Sequence, residues 1–208
     1  MIFTETLPKH SMELLKKIQQ IEEFQNFSLV WWTNLALRYG HRISIDLDLF
    51  TNIEFDEESI DQAINTNFTN FKKIKQSKQS LLYYIDDTKV DILLYKYKYL
   101  NPVQYVDGIN MLHTNDIIAM KLSAISMRWS KKDFYDIYEL MKNFDLWYMI
   151  DLYSQKYPKS DSSIPVIWLW YFDDADKEPN PISLNKTTRM QIKKHINKEL
   201  DIYIRSKL

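Results

Sequence analysis

The chain has 208 residues, enough for one compact domain or two small ones, and its composition is ordinary for a globular protein. It has no cysteine, which excludes a disulfide framework, a thiolate metal site and a cysteine nucleophile. The formal net charge of −1 gives no sign of a broadly basic surface, so a site for nucleic acid would have to be local. Neither a signal peptide nor about 18 consecutive apolar residues is present, so we expect a cytoplasmic protein without a membrane partner.

The first elements along the chain alternate between helix and strand patterns. Apolar residues at helical spacing predict a helix over 11–24, with Ser11 as its N-cap. A buried strand over 27–31 and a short helix over 33–39 that ends near Gly40 should follow. Residues 43–50, ISIDLDLF, alternate between apolar and polar, as in a strand with one face in the core. The apolar face would carry Ile43, Ile45, Leu47 and Leu49, and the polar face Ser44, Asp46 and Asp48.

The remaining elements predict an α+β (α/β) protein, in which a small mixed sheet flanked by helices precedes a helical half. We expect a helix over 56–68 and a strand meander over 71–97, with a turn at Asp86–Asp87 and Asp91 in its third strand. A further helix should run through Arg128, with Thr114 or Asn115 as its N-cap. We also expect helices over 131–144, 146–157 and 185–208, whereas the segment 164–172 fits either a helix or a strand. The last of these helices has an apolar stripe of Ile192, Ile196, Leu200 and Ile204. The predicted division gives domains of 1–110 and 111–208.

Three aspartates form the candidate catalytic site. Asp46 and Asp48 are two residues apart on a strand, so their Cβ atoms share a face about 7 Å apart. Two such carboxylates bind hard cations, and Asp91 on a neighbouring strand would complete an oxygen cage for a magnesium pair. The alternative is that the two carboxylates are only the solvated face of an edge strand.

Two stretches resemble a known family, the AbiEii/AbiGii abortive-infection toxins of the polymerase-beta-like nucleotidyltransferase superfamily. In TNLALRYGHRISIDLDLF the matching residues are Thr33, Leu35, Ala36, Leu37, Gly40, His41, Arg42, Ser44, Asp46 and Asp48, and Asp91 matches further on. In DIIAMKLSAISMRWSKKDFYDIYELM they are Asp116, Lys121, Ala124, Arg128, Lys132, Asp133 and Asp136. The segments YFDDAD and PNP also match the family, so the resemblance spans residues 27–181.

The resemblance implies a metal-dependent toxin of a type IV toxin–antitoxin system that takes part in phage defence. It would transfer NMP from NTP to an RNA acceptor, with tRNA as the expected acceptor and a cognate antitoxin as a possible partner. Asp46 and Asp48 would hold Mg²⁺ at the triphosphate, and Asp91 would bind a second Mg²⁺ and help to deprotonate the acceptor hydroxyl. The implied nucleotide-binding residues are Trp31, Trp32, Thr33, Ser44, Lys121, Arg128, Lys132 and Asp133.

Two of these assignments have simpler alternatives. Lys132 and Asp136 are four residues apart and could form an ordinary helix ion pair. The last 23 residues carry seven basic against two acidic side chains, a net of +5, which fits either a polyanionic partner or a solvated helix face.

The chain departs from the family pattern at Trp31-Trp32, where the family has a glycine pair. Glycine lets the backbone N–H groups of this turn approach a triphosphate, and it tolerates a positive φ. The indoles could rotate outward, they could block the site, or Trp32 could stack on a base. Three functions therefore stay open: an RNA nucleotidyltransferase, a catalytically impaired binding protein of the same fold, and a small-molecule nucleotidyltransferase, against which the KKDFYD motif argues.

Overall fold

The computed structural model describes residues 2–127, 130–171 and 174–207, apart from the side chains of residues 174 and 176. Within these residues, eight α-helices and seven β-strands form two compact units, Met1–His113 and Thr114–Leu208. All seven strands lie in the first unit, and five helices form the second. The mixed α/β class predicted from the sequence is confirmed.

The first unit is built on one mixed sheet. Its helices are α1 (Lys9–Gln20), α2 (Trp31–Tyr39) and α3 (Glu57–Asn67). Its strands are β1 (Ser28–Leu29), β2 (Leu47–Thr51), β3 (Phe71–Ser77), β4 (Ser80–Ile85), β5 (Thr88–Leu94), β6 (Gln104–Val106) and β7 (Ile109–Met111). The spatial order is β3-β4-β5-β2-β1-β7-β6, in which β2 with β5 and β1 with β7 are parallel and the other pairs antiparallel.

The core of the first unit lies on one face of the sheet. Leu47 and Leu49 of β2 and Ile92 of β5 are fully buried and share an apolar cluster with residues of α1 and α3. Because side chains alternate along a strand, the residues between them, including Asp48 and Asp91, point to the opposite face. The core packing thus fixes which face carries the carboxylates.

Gly40 ends α2 as predicted. Its φ of +65° is left-handed, and its amide donates to the Ala36 carbonyl at 2.9 Å. A Cβ at this position would also lie 2.8 Å from the ring of Phe3. Both the backbone conformation and the close packing therefore require glycine where the chain turns toward residues 43–50.

The structure corrects several predicted details. Helix α1 starts at Lys9, so Ser11 is not its cap; the Ser11 hydroxyl is buried and shares a 2.9 Å hydrogen bond with Thr88. Strand β2 starts only at Leu47, which leaves Asp46 before the strand and Ile45 55% exposed instead of in the core. Strands β6 and β7 lie in a segment for which the sequence predicted no strand, because three-residue strands are too short to show an alternating pattern.

The second unit is helical. It contains α4 (Thr114–Met127), α5 (Lys131–Met141), α6 (Leu146–Lys156), α7 (Ser163–Leu169) and α8 (Arg189–Arg205). Most residues of α4 are buried, and α5, α6 and α7 pack against it. In α8 the predicted stripe is wrong at its end, because Tyr203 is buried and Ile204 is 39% exposed. None of the described helices combines the length and the hydropathy that crossing a bilayer requires.

Candidate active site

The candidate active site is built on two parallel neighbours, β2 and β5. Asp48 of β2 and Asp91 of β5 are direct register partners. Partners on adjacent strands lie about 4.8 Å apart and point to the same face. Asp48 is only 3% exposed, whereas about a third of the Asp91 side chain is accessible. The sheet therefore brings together two carboxylates that are 43 positions apart in the sequence.

A cavity of about 210 Å³ opens on this face of the sheet. Its lining residues are Trp31, Asp48, Phe50, Ser80, Asp91, Ile92 and Leu93. Trp31 is the first residue of α2, so the positive end of that helix lies beside the carboxylates. The cavity thus combines two anionic side chains with a helix terminus that favours an anionic ligand.

Lys89 places a cation among the carboxylates. It lies two residues before Asp91 on the same strand face, and its ammonium donates to Asp91 Oδ2 at 2.5 Å. Burial lowers the pKa of Lys89, but the Asp91 hydrogen bond and the charges of Asp91, Asp46 and Asp48 outweigh it, so the pKa is raised. Lys89 was not predicted from the sequence, although the two-residue spacing of a strand would have placed it beside Asp91.

The donor set of this site suits a divalent cation. Carboxylate oxygens are the ligands that magnesium prefers, and the ammonium of Lys89 shows that the site already attracts positive charge. No group of three or more His, Cys, Asp or Glu side chains in the described residues is arranged to hold a metal ion. The expected cage of three aspartates is therefore not preformed.

Thr33 and Ser44 hold the segment that carries Asp46. The two buried hydroxyls share a hydrogen bond of 2.8 Å, and the Thr33 hydroxyl also donates to the backbone carbonyl of Asp46. These bonds connect α2 to the chain just before β2. In this structure the hydroxyl of Ser44, expected to face phosphate, instead contacts Thr33.

The two tryptophans occupy the first turn of α2. Trp31 has a φ of +52°, a left-handed conformation that glycine adopts far more easily than an aromatic residue. Its ring contacts Phe50 at a centroid distance of 5.4 Å and Trp32 at 5.7 Å. The turn therefore has a glycine-like backbone at Trp31, and the indole lies along the cavity.

The predicted basic residues of the second unit have a different environment. Lys121 is 1% exposed, and its ammonium lies 2.9 Å from Asp133 and 2.6 Å from Asp136, both fully buried. This cluster links α4 to α5. A triphosphate could reach Lys121 only if these ion pairs opened. The sequence spacing suggested an ion pair of Asp136 with Lys132, whereas the pairing of Asp136 with Lys121 depends on the packing of two helices.

Lys132 and Arg128 are the remaining predicted binding residues of the second unit. Lys132 is half-buried on α5, and Arg128, like Trp129, lies outside the described residues. The loop residue Glu178 binds the start of α5, because its carboxylate accepts from the Lys131 amide at 2.8 Å. Glu178 thus supports the start of α5, whereas residues 172 and 173 of the YFDDAD motif lie outside the described residues.

Two further features of the second unit were not predicted. Lys156 of α6 and Asp116 of α4 form a fully buried ion pair at 2.6 Å. Burial lowers the pKa of Lys156 more than the hydrogen bond and charge of Asp116 raise it.

Helix α8 lines a larger open depression of about 550 Å³ that includes Arg189, Lys193 and Lys194, in keeping with the local positive charge of the C-terminal sequence.

The fold is that of the nucleotidyltransferases. A nucleotidyltransferase toxin from Mycobacterium tuberculosis, MenT4, superposes with a TM-score of 0.63 at 13% identity, covering 92% of this chain and 80% of that one. A crystal structure from H. pylori, assigned as a nucleotidyltransferase, gives a TM-score of 0.58 at 16% identity, with 94% and 95% covered. A protein of uncharacterized function from Aquifex aeolicus is 39% identical over 178 residues, which cover 83% of this chain and 86% of the relative.

Residues 33–204 match the family described as the nucleotidyl transferase AbiEii toxin of type IV toxin–antitoxin systems. Because this match covers most of the chain, the protein belongs to the AbiEii family and is a nucleotidyltransferase. The resemblance found in the sequence is confirmed.

Proposed function

We propose that the chain transfers NMP from an NTP to an RNA acceptor, with tRNA as the leading candidate, using Mg²⁺ held by Asp46, Asp48 and Asp91. The observation that carries this proposal is the pairing of Asp48 with Asp91 at a cavity, where Asp91 already binds the ammonium of Lys89. The family supports an NTP substrate and an antitoxin partner. We also propose that the protein acts in the cytoplasm and takes part in phage defence.

The side chains of the cavity suit this chemistry. The acceptor oxygen would form a bond to the α-phosphorus while the bond to the β-phosphate breaks and pyrophosphate leaves. Bound magnesium would neutralise charge at the triphosphate. Asp91, the more accessible carboxylate, would take the proton of the acceptor hydroxyl, which requires Lys89 to move aside. The start of α2 would stabilise the anionic phosphates.

Label transfer tests the proposed reaction. The purified chain is incubated with each α-³²P-labelled NTP, Mg²⁺ and total tRNA, and the RNA is separated on a denaturing gel. We expect one or more NTPs to label RNA, and EDTA to stop the labelling. Ribonuclease treatment should release the label, since it is covalently attached to RNA. Absence of labelling with every NTP, on both tRNA and total cellular RNA, would contradict the proposal.

A second candidate is a binding protein that has the nucleotidyltransferase fold but no turnover. It is favoured by one observation, that the indole of Trp31 lines the cavity beside Asp48 and Asp91. The double variant W31G/W32G separates the two candidates. We expect the natural chain to label RNA and the variant not to exceed it, since the turn already has the glycine-like backbone. Labelling by the glycine variant alone would identify a blocked site.

A further inference from the structure

Five aromatic rings form a continuous row, and two of them line the cavity with Asp48 and Asp91. In spatial order it runs Trp32, Trp31, Phe50, Tyr95 and Tyr97. Neighbouring ring centroids are 5.3 to 5.9 Å apart, and Phe50 and Tyr95 are stacked with 26° between their planes. Phe50 is buried, the two tryptophans and Tyr95 are half-buried, and Tyr97 is 50% exposed. We name this set the aromatic row.

The far end of the row is basic. Tyr97 stands between Lys96 and Lys98, and all three side chains are exposed. The segment 92–106, which follows Asp91, contains no acidic residue. An exposed ring flanked by two lysines matches the two needs of an unpaired nucleic acid strand, since bases stack on aromatic side chains and cations bind the phosphates.

Resting on the proposed nucleotidyl transfer, we propose that the aromatic row binds the single-stranded end of the acceptor RNA. Bases stack at the tryptophan pair and at the tyrosine pair, Lys96 and Lys98 bind the backbone, and the terminal hydroxyl reaches Asp48 and Asp91. The row is too long for the single base of an NTP, because the ring of Tyr95 lies between Phe50, which lines the cavity, and Tyr97. In this role Trp31 contributes to recognition of the acceptor.

RNA binding without catalysis tests this proposal. A fluorescein-labelled unpaired RNA decamer is titrated with the full chain, without Mg²⁺ or NTP, and followed by anisotropy. We expect Tyr97→Ala and Trp31→Ala each to weaken binding about 5- to 150-fold, and Tyr97→Phe to preserve it. Lys96→Gln/Lys98→Gln should lower the slope of log K against log salt by about 1.4. The matched control is Tyr105→Ala, since Tyr105 is 75% exposed and lies outside the row.

The outcomes separate this proposal from the catalytic one. Because Tyr97 is half exposed, its variants should fold even if Trp31→Ala does not. Equal losses in Tyr97→Ala and Tyr105→Ala, or a blunt RNA duplex that depends on Tyr97 as strongly as the decamer, would overturn the aromatic row as a binding site. A higher KM for NTP in Trp31→Ala, with unchanged decamer binding, would also overturn it. Decamer binding that depends on Tyr97 without any label transfer would support the row and contradict the proposed reaction.

Discussion

Replacing Lys121 with methionine should lower the free energy of unfolding by about 3–5 kcal/mol. The ammonium of Lys121 is the ion-pair partner of both Asp133 and Asp136, and all three side chains are essentially inaccessible. Methionine fills a similar volume but leaves two carboxylates buried without this cation. Urea denaturation followed by circular dichroism at 222 nm measures the effect as a lower midpoint at similar slope.

Two variants control this prediction. Lys142→Met removes a more exposed lysine, the residue after α5, that pairs with Glu139 at 2.7 Å, and it should cost at most about 1 kcal/mol. The triple variant K121M/D133N/D136N removes the buried charges together and should recover much of the lost stability. If Lys121→Met unfolds no more easily than Lys142→Met but raises the KM for NTP, Lys121 contacts the triphosphate as the family resemblance implies.

The elements that the sequence predicted are those with a local signal. The helix that ends at Gly40, the meander with its turn at Asp86–Asp87 and the helices of the second half depend on periodicity and turn residues, which short segments reveal. The alternation over 43–50 was misleading before Leu47, because Thr33 and Ser44 fix a non-strand segment there. Strand β7 pairs with β1, which is distant in the sequence, and β6 pairs only with β7.

The candidate site was predictable in its residue types but not in its partners. Asp48 and Asp91 could be placed on neighbouring strands, and the structure makes them register partners. The position of Lys121 between two buried aspartates could not be predicted from the sequence, since helix packing decides that contact. Nor could it show that Trp31 keeps a left-handed backbone, because backbone strain depends on the surrounding fold.

Asp48→Asn and Asp91→Asn should each reduce kcat/KM for NMP transfer by about a thousandfold or more. A metal ion that neutralises the triphosphate contributes several kcal/mol to transition-state stabilisation, and each 1.36 kcal/mol corresponds to a factor of ten. Asparagine keeps the size of the side chain but removes the charge that attracts the cation. The matched control is Asp87→Asn, an exposed position with a φ of +62°, which asparagine tolerates well.

Stability distinguishes this loss from simple unfolding. The Lys89–Asp91 pair is about one-third exposed, so Asp91→Asn should change the free energy of unfolding by no more than about 1 kcal/mol, far less than Lys121→Met. Isothermal titration with Mg²⁺ and a non-hydrolysable NTP analogue should show weaker metal binding in Asp91→Asn than in Asp87→Asn. Full transfer activity in a folded Asp91→Asn protein would remove Asp91 from the proposed metal site, and the partially exposed ion pair with Lys89 would then be a structural feature of β5 alone.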